Sequence, residues 1–274
     1  REGSRNPVFC VHPADGLAWL FGGLAPHLDD RPVYGLQDPY VVAGDLPDAT
    51  VHDLAVRYVD EIRRIAPEGP YHLLGWSIGG LIAQEMAVEL RLRGADVGFL
   101  GLLDSYPADD VELATSWTDE GEMSVDIDAR EVASELLGGW REVIDVDELV
   151  GSGNSGSVAP ETIATAIRDK VTGLGLLDAD SFDRMLERMT SSAERTISHR
   201  PRPYDGDTML IVAADSDTEE SADAGPSRWE PYLGGGITRI DIDTDHLGIV
   251  GSEALSEFGP RIDAALSDAE SRRR

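Results

Sequence analysis

The stretch Tyr71-His72-Leu73-Leu74-Gly75-Trp76-Ser77-Ile78-Gly79-Gly80 constrains the fold of this chain more than any other. Tyr71 to Leu74 is a short apolar run that predicts a strand, and Leu81 to Leu90 carries a helical pattern. Between them stands G-x-S-x-G. A strand that passes into a helix through so tight a turn needs small residues two before and two after its centre, because side chains there would collide. The central residue is forced into a strained backbone conformation. The Ser77 hydroxyl is then expected at the edge of a sheet. The N-terminus of the following helix lies behind it and favours negative charge. The same letters also describe a glycine-rich turn with an incidental serine. The strand before and the helix after favour the functional reading.

The rest of the chain must supply a sheet for that strand. With 274 residues, it suits one large α/β domain carrying an insertion, or two small domains. No apolar run approaches the ~18–20 residues of a membrane span. A net charge of -29 argues against nucleic acid and an anionic membrane as partners. The single cysteine, Cys10, excludes an intrachain disulfide and is expected to be a buried thiol; this fits a cytoplasmic setting. The chain begins at Arg1 with neither an initiator Met nor the apolar core of a signal peptide. That is expected of a piece of a longer protein.

Short apolar strands are predicted at residues 7–12, 31–37, 71–74, 97–103, 207–214 and 237–242, the last with strand-like alternation. Helices are expected over about 17–28, from Thr50 to before Pro67, over 81–93 and over about 253–266. Thr50 can cap its helix, with Asp53 three residues on. Residues 41–48 and 225–236 read as loops, and 271–274 as a frayed tail. The alternation indicates an α/β fold with a mostly parallel, doubly wound sheet and flanking helices. After Pro107 the rhythm breaks. Helical patterns occur at 129–137, 160–174 and 181–198, with an acidic linker at 118–128 and a Gly/Ser-rich one at 151–157. The expected organisation is a core over 7–107, a helical lid insertion over 108–203, and the rest of the core over 204–268.

In such sheets functional residues sit at the carboxyl ends of strands. A serine hydroxyl is a weak nucleophile, and it needs a base oriented by an acid. Of the six histidines, His246 follows the last strand and is the base candidate. His12 also ends a strand, but it precedes Pro13 and is expected to shape the turn. Two aspartates qualify as the acid. Asp215 ends the penultimate strand, which position alone favours, although Asp217, Glu219 and Glu220 mark a solvated acidic loop. Asp104 ends the strand after the elbow helix. An oxyanion hole needs two backbone N–H groups, expected from Ile78 and from Ala14 in the His12-Pro13-Ala14-Asp15-Gly16 turn. Trp76 is a candidate to line the pocket. No His/Cys cluster has metal-ligand spacing, and no G-x-G-x-x-G follows a strand.

His12-Pro13-Ala14, Gly75-Trp76-Ser77-Ile78-Gly79-Gly80, Leu102-Leu103-Asp104-Ser105-Tyr106-Pro107 and Asp245-His246 together resemble the C-terminal thioesterase domains of nonribosomal peptide synthetases. The resemblance runs from about Pro7 to Leu266 and is weakest in the insertion. It implies the α/β-hydrolase fold and selects Asp104 over Asp215 as the acid. It carries the nucleophile onto Ser77, the base onto His246 and the oxyanion amides onto Ile78 and Ala14. It implies a peptidyl thioester substrate, delivered on the phosphopantetheine arm of an upstream peptidyl carrier protein domain, with no bound cofactor or metal. Release through a peptidyl-O-serine ester, by hydrolysis or macrocyclisation, would follow. A stand-alone editing thioesterase or a general serine ester hydrolase are the rival readings. Asp15 departs from the pattern, where glycine is common.

Overall fold

The computed structural model describes residues 3–108, 160–214 and 224–272. Six strands form one sheet: β1 (Val8–Val11), β2 (Val33–Leu36), β3 (Tyr71–Trp76), β4 (Val97–Leu103), β5 (Thr208–Ala213) and β6 (Ile237–Ile242). All are parallel, in the order β2-β1-β3-β4-β5-β6. The chain steps outward from β1 to β2 and then returns to the other side of β1 to lay down β3. This reversal opens a crevice at the carboxyl ends of β1 and β3, the place where parallel sheets hold ligands.

Successive side chains of a strand face opposite sides of the sheet, so the central strands feed two cores. Phe9, Val11, Leu73, Leu100 and Leu102 pack beneath α2 (Val51–Ile65) and α3 (Ile78–Leu92). Val8, Cys10, Leu74, Leu103 and Ile211 face the other way, toward Phe21, Leu24, Phe258 and Ile262. Phe258 and Ile262 belong to the final helix of the chain, Ser252–Ser271. Cys10 is fully buried, and burial pushes its thiol pKa up, so it is a core residue with no nucleophilic role.

Helix α2 is built as its sequence predicts. Thr50 Oγ1 accepts from Asp53 N at 3.1 Å, and Asp53 Oδ2 accepts from Thr50 N at 3.0 Å. Leu54, Ala55, Tyr58, Val59 and Ile62 form its buried stripe. Thr50→Ala leaves the Asp53 N–H without its side-chain cap and is expected to lower stability by about 1 kcal/mol, read as a lower melting temperature with unchanged secondary structure.

Three elements differ from expectation. Residues 17–28 contain a 3₁₀ helix, Trp19–His27, and not an α-helix. Gly22, Gly23 and Pro26 all disfavour a continuous i→i−4 ladder there. The expected loop at 41–48 begins inside a short helix, α1 (Pro39–Ala43), which Asp38 caps by accepting from Tyr40 N at 2.8 Å. The final helix runs past Leu266 to Ser271. Glu270 holds that last turn down, accepting from Arg31 Nη1 at 2.7 Å and Arg5 Nη2 at 2.9 Å.

Between β4 and β5 the described residues form two helices, α4 (Pro160–Gly173) and α5 (Ala179–Ser198). The helix expected at 129–137 and both linkers lie outside the described residues. Helix α5 packs against α1 and α3. Its return to β5 is tied to α3: Glu85 Oε1 accepts from Arg202 Nε at 2.8 Å, and Gln84 Nε2 donates to Arg202 O at 2.7 Å. Between β5 and β6 the described residues include one helical turn, α6 (Ala224–Ser227), and the final helix is α7. Among the described residues no helix is long and apolar enough to cross a membrane.

Candidate active site

Ser77 stands between β3 and α3 with φ 56° and ψ −131°, a conformation that costs a non-glycine residue on the order of 1–3 kcal/mol. Its surroundings impose that geometry. A Cβ on Gly75 would overlap the Gly79 carbonyl, and one on Gly79 would overlap the carbonyls of His12 and Val11. The glycines therefore let α3 lie directly against β3 and β1. Ser77 N donates to Leu103 O at 3.1 Å, which ties the elbow to β4. Ile78 opens α3, where the first N–H groups have no carbonyl one turn earlier to bond.

The turn after β1 faces the elbow. Gly16 N donates to Pro13 O at 3.1 Å, and Asp38 N donates to Gly16 O at 2.8 Å. Asp15 Oδ1 accepts from Leu17 N at 2.8 Å. A carboxylate where glycine is common thus serves as a local brace for the turn. His12 is buried under it, with Nδ1 2.6 Å from Pro13 O and Nε2 2.7 Å from Tyr58 OH. This is the turn-shaping role its sequence position predicts.

Ser77, His246, Trp76, Pro13, Ala14 and Asp15 line one cleft, and Met189 from α5 and Leu247 complete it. Of the six histidines, His246 alone lines it. His199 lies past the C-terminus of α5, and His52 pairs with Glu85 at 2.8 Å. The Trp76 ring lies 5.2 Å from the His246 ring.

Behind His246 stands Asp104, whose Oδ2 is 2.6 Å from His246 Nδ1. Asp104 Oδ1 accepts from Tyr106 OH at 2.6 Å and from Ala213 N at 3.1 Å. Burial alone would raise this carboxyl. The His246 contact, the Tyr106 hydroxyl and the Ala213 N–H outweigh burial and hold it below its ordinary value. An ionised carboxylate only accepts hydrogen bonds, so the imidazole carries its proton on Nδ1 and leaves Nε2 as the basic nitrogen. The other acid candidate, Asp215, lies outside the described residues.

Tyr106 is a site residue that sequence reasoning does not assign. Burial, and then the neighbouring carboxylate, push its phenol pKa up, so it remains an O–H donor. Trp229, itself fully buried, fixes the same loop by donating Nε1–H to Ser105 O at 2.6 Å. Tyr106→Phe removes one of three donors to a largely buried carboxylate. Hydrogen bonds to charged groups contribute about 1.5–3 kcal/mol, so turnover is expected to fall at least about tenfold with little change in KM, measured on a short ester substrate. Among the described residues no group of three or more His, Cys, Asp or Glu side chains is placed to hold a metal ion.

A strained serine on an elbow, a carboxylate-bound histidine in the same cleft and two facing backbone turns mark out a family. A family model described as Thioesterase domain matches residues 6–265. The chain belongs to the thioesterase-domain family. The Dimodular nonribosomal peptide synthase of Bacillus subtilis (strain 168) is 31% identical over 272 residues, covering 97% of this chain and 11% of that protein. Enterobactin synthase component F of Escherichia coli (strain K12) is 29% identical over 272 residues, covering 97% and 18%. The thioesterase domain therefore spans a small part of the curated relatives it matches. Among solved structures, the thioesterase domain of NocB from the nocardicin cluster aligns with TM-score 0.65 and 25% identity over 97% of this chain and 95% of that one. The Vlm2 thioesterase domain aligns with TM-score 0.69 at 22% identity, over 94% and 93%, a likeness of fold alone. The thioesterase domain has the α/β-hydrolase fold that its sequence implies, and its resemblance to the thioesterase domains of nonribosomal peptide synthetases holds across nearly the whole chain.

Proposed function

We propose that this thioesterase domain releases a peptidyl chain from a carrier protein through an ester on Ser77, with His246 as base and Asp104 as the acid that orients it. The observation that carries the reading is the 2.6 Å Asp104–His246 contact at the rim of a cleft that Ser77 also lines. His246 Nε2 takes the Ser77 proton as Oγ attacks the thioester carbonyl. The tetrahedral oxyanion is held by the N–H groups of Ile78 and Ala14, aided by the N-terminus of α3. As it collapses, the C–S bond breaks, and the carrier's phosphopantetheine sulfur leaves with the proton from His246. In the second half His246 takes a proton from water, or from an amine or hydroxyl of the peptide, and that group attacks the ester. Ser77 Oγ leaves with the proton, giving an acid or a ring.

Residues 108–203 act as a lid in this reading, with Met189 as the part of the described lid that reaches the cleft. Water exclusion by the lid favours the internal nucleophile. The test is a peptidyl thioester loaded on a carrier protein, compared with short p-nitrophenyl esters. The expected result is a higher kcat/KM for the carrier-bound thioester, with free carrier thiol formed in step with acid or macrocycle. A preference for the short esters contradicts the reading and favours a general ester hydrolase.

A further inference from the structure

We propose that Arg188, on α5, is a positioning residue for the oxyanion turn: through Asp38 it holds the Pro13–Gly16 backbone that presents the Ala14 N–H to the cleft. The inference rests on the reading of Ala14 as an oxyanion donor.

Arg188 and Asp38 lie 150 residues apart and are both buried, with side-chain exposures of 3% and 0%. Arg188 Nη2 donates to Asp38 Oδ1 at 3.0 Å, and Nε lies 2.7 Å from Oδ2. The other face of the guanidinium is also engaged. Nη1 donates to Pro47 O at 2.9 Å and Nη2 to Leu46 O at 3.1 Å, and the group sits 4.8 Å over the Tyr40 ring. Asp38 in turn reaches the turn by its backbone: its N–H donates to Gly16 O at 2.8 Å. Gly16 has φ +78°, and a Cβ there would press on Val41 and Asp38, so the turn and α1 are in van der Waals contact.

A second link runs through His12. Its Nε2 is 3.9 Å from Asp38 Oδ2 and 2.7 Å from Tyr58 OH, while Nδ1 meets Pro13 O at 2.6 Å. The charged or titratable groups facing this imidazole are Tyr58 from α2, Asp38, and Arg188 from α5, with Arg195 of α5 beyond Asp38. Burial holds His12 below its ordinary value; the Asp38 charge opposes this and the Arg188 charge reinforces it. The neutral ring donates Nδ1–H to the Pro13 carbonyl, which fixes the plane of the Pro13–Ala14 peptide. Without Arg188, Asp38 keeps only the more distant Arg195, whose Nη1 lies 3.9 Å from Oδ2. Its side chain is then free to shift, and through the Asp38 N–H to Gly16 O bond the turn and the aim of the Ala14 N–H loosen with it.

The pair also has an ordinary reading, in which it only anchors α5 and the Met189 wall. The two readings separate by substrate size. An oxyanion donor serves every acyl group, so its loss slows short and long substrates alike. A displaced lid wall slows only long ones. The test measures fluorophosphonate labelling of Ser77 and turnover of a short p-nitrophenyl ester for wild type, Arg188→Met and Arg188→Lys, with melting temperatures recorded. Outright loss of an oxyanion donor costs about 10²–10³ in kcat. Arg188→Met is expected to lose about tenfold to a hundredfold in both readouts, mainly in kcat, and Arg188→Lys to recover part of it. Labelling and short-ester turnover of Arg188→Met within twofold of wild type overturn the proposal. If Arg188→Met melts below the assay temperature, Arg188→Lys decides by the same criterion. Failure of the wild type itself to label at Ser77 overturns the serine mechanism, and is thereby distinct from failure of the positioning role.

Discussion

Replacing Asp104 with Asn is expected to reduce kcat by about 10⁴, while Asp215→Asn changes it less than about threefold. Asp104 accepts from His246 Nδ1, Tyr106 OH and Ala213 N, and as an acceptor-only group it keeps Nε2 free to take the serine proton. An Asn side chain of the same shape can offer its NH₂ to Nδ1, which moves the imidazole proton to Nε2, the wrong nitrogen. In a Ser-His-Asp triad of another fold the equivalent change costs about 10⁴. Stability gives an independent check. The Asp104 carboxyl is held below its ordinary value, so its ionised form stabilises the fold above about pH 4. That contribution disappears as pH falls through the folded-state value. Asp104→Asn should therefore lose catalysis at neutral pH while melting with a shallower acid dependence than wild type. The reverse outcome, with Asp215→Asn inactive and Asp104→Asn active, would assign the acid to the penultimate strand.

Ser77→Ala is the larger effect, a loss of about 10⁶ in kcat, as expected when one member of a mutually dependent triad is removed. The change is small for the fold. Alanine has no more steric demand than serine at φ 56°, and the elbow is held by Gly75, Gly79 and the Ser77 N–H to Leu103 O. Backbone strain is thus retained while the reacting atom is deleted. The variant should melt close to wild type.

What could be read from the sequence was what local chemistry decides. Strands β4 and β6 have the expected bounds because continuous or alternating apolar residues meet clear turn signals. The Thr50–Asp53 cap was legible because both partners lie within one turn. The elbow was legible because sterics dictate its residue types. Helix α1 overlaps a segment that reads as a loop, although Asp38-Pro39 is an N-cap followed by a proline at the first helical position. The 3₁₀ segment reads as an α-helix because its apolar content mimics one, while its glycines and Pro26 deny it. Tyr106, Trp229 and Arg188 have no local signature. Their roles come from partners brought close by the fold, as with Arg188 and Asp38, 150 residues apart. For the same reason position alone favours Asp215, whereas the contacts of Asp104 with His246, Tyr106 and Ala213 exist only in the fold.

Whether Ser77 carries the acyl chain is read by intact-protein mass spectrometry after brief exposure to a peptidyl thioester mimic. Wild type is expected to gain the mass of the peptidyl group at Ser77, and Ser77→Ala to gain nothing. An acyl adduct of the same mass on Ser77→Ala would contradict that role for Ser77.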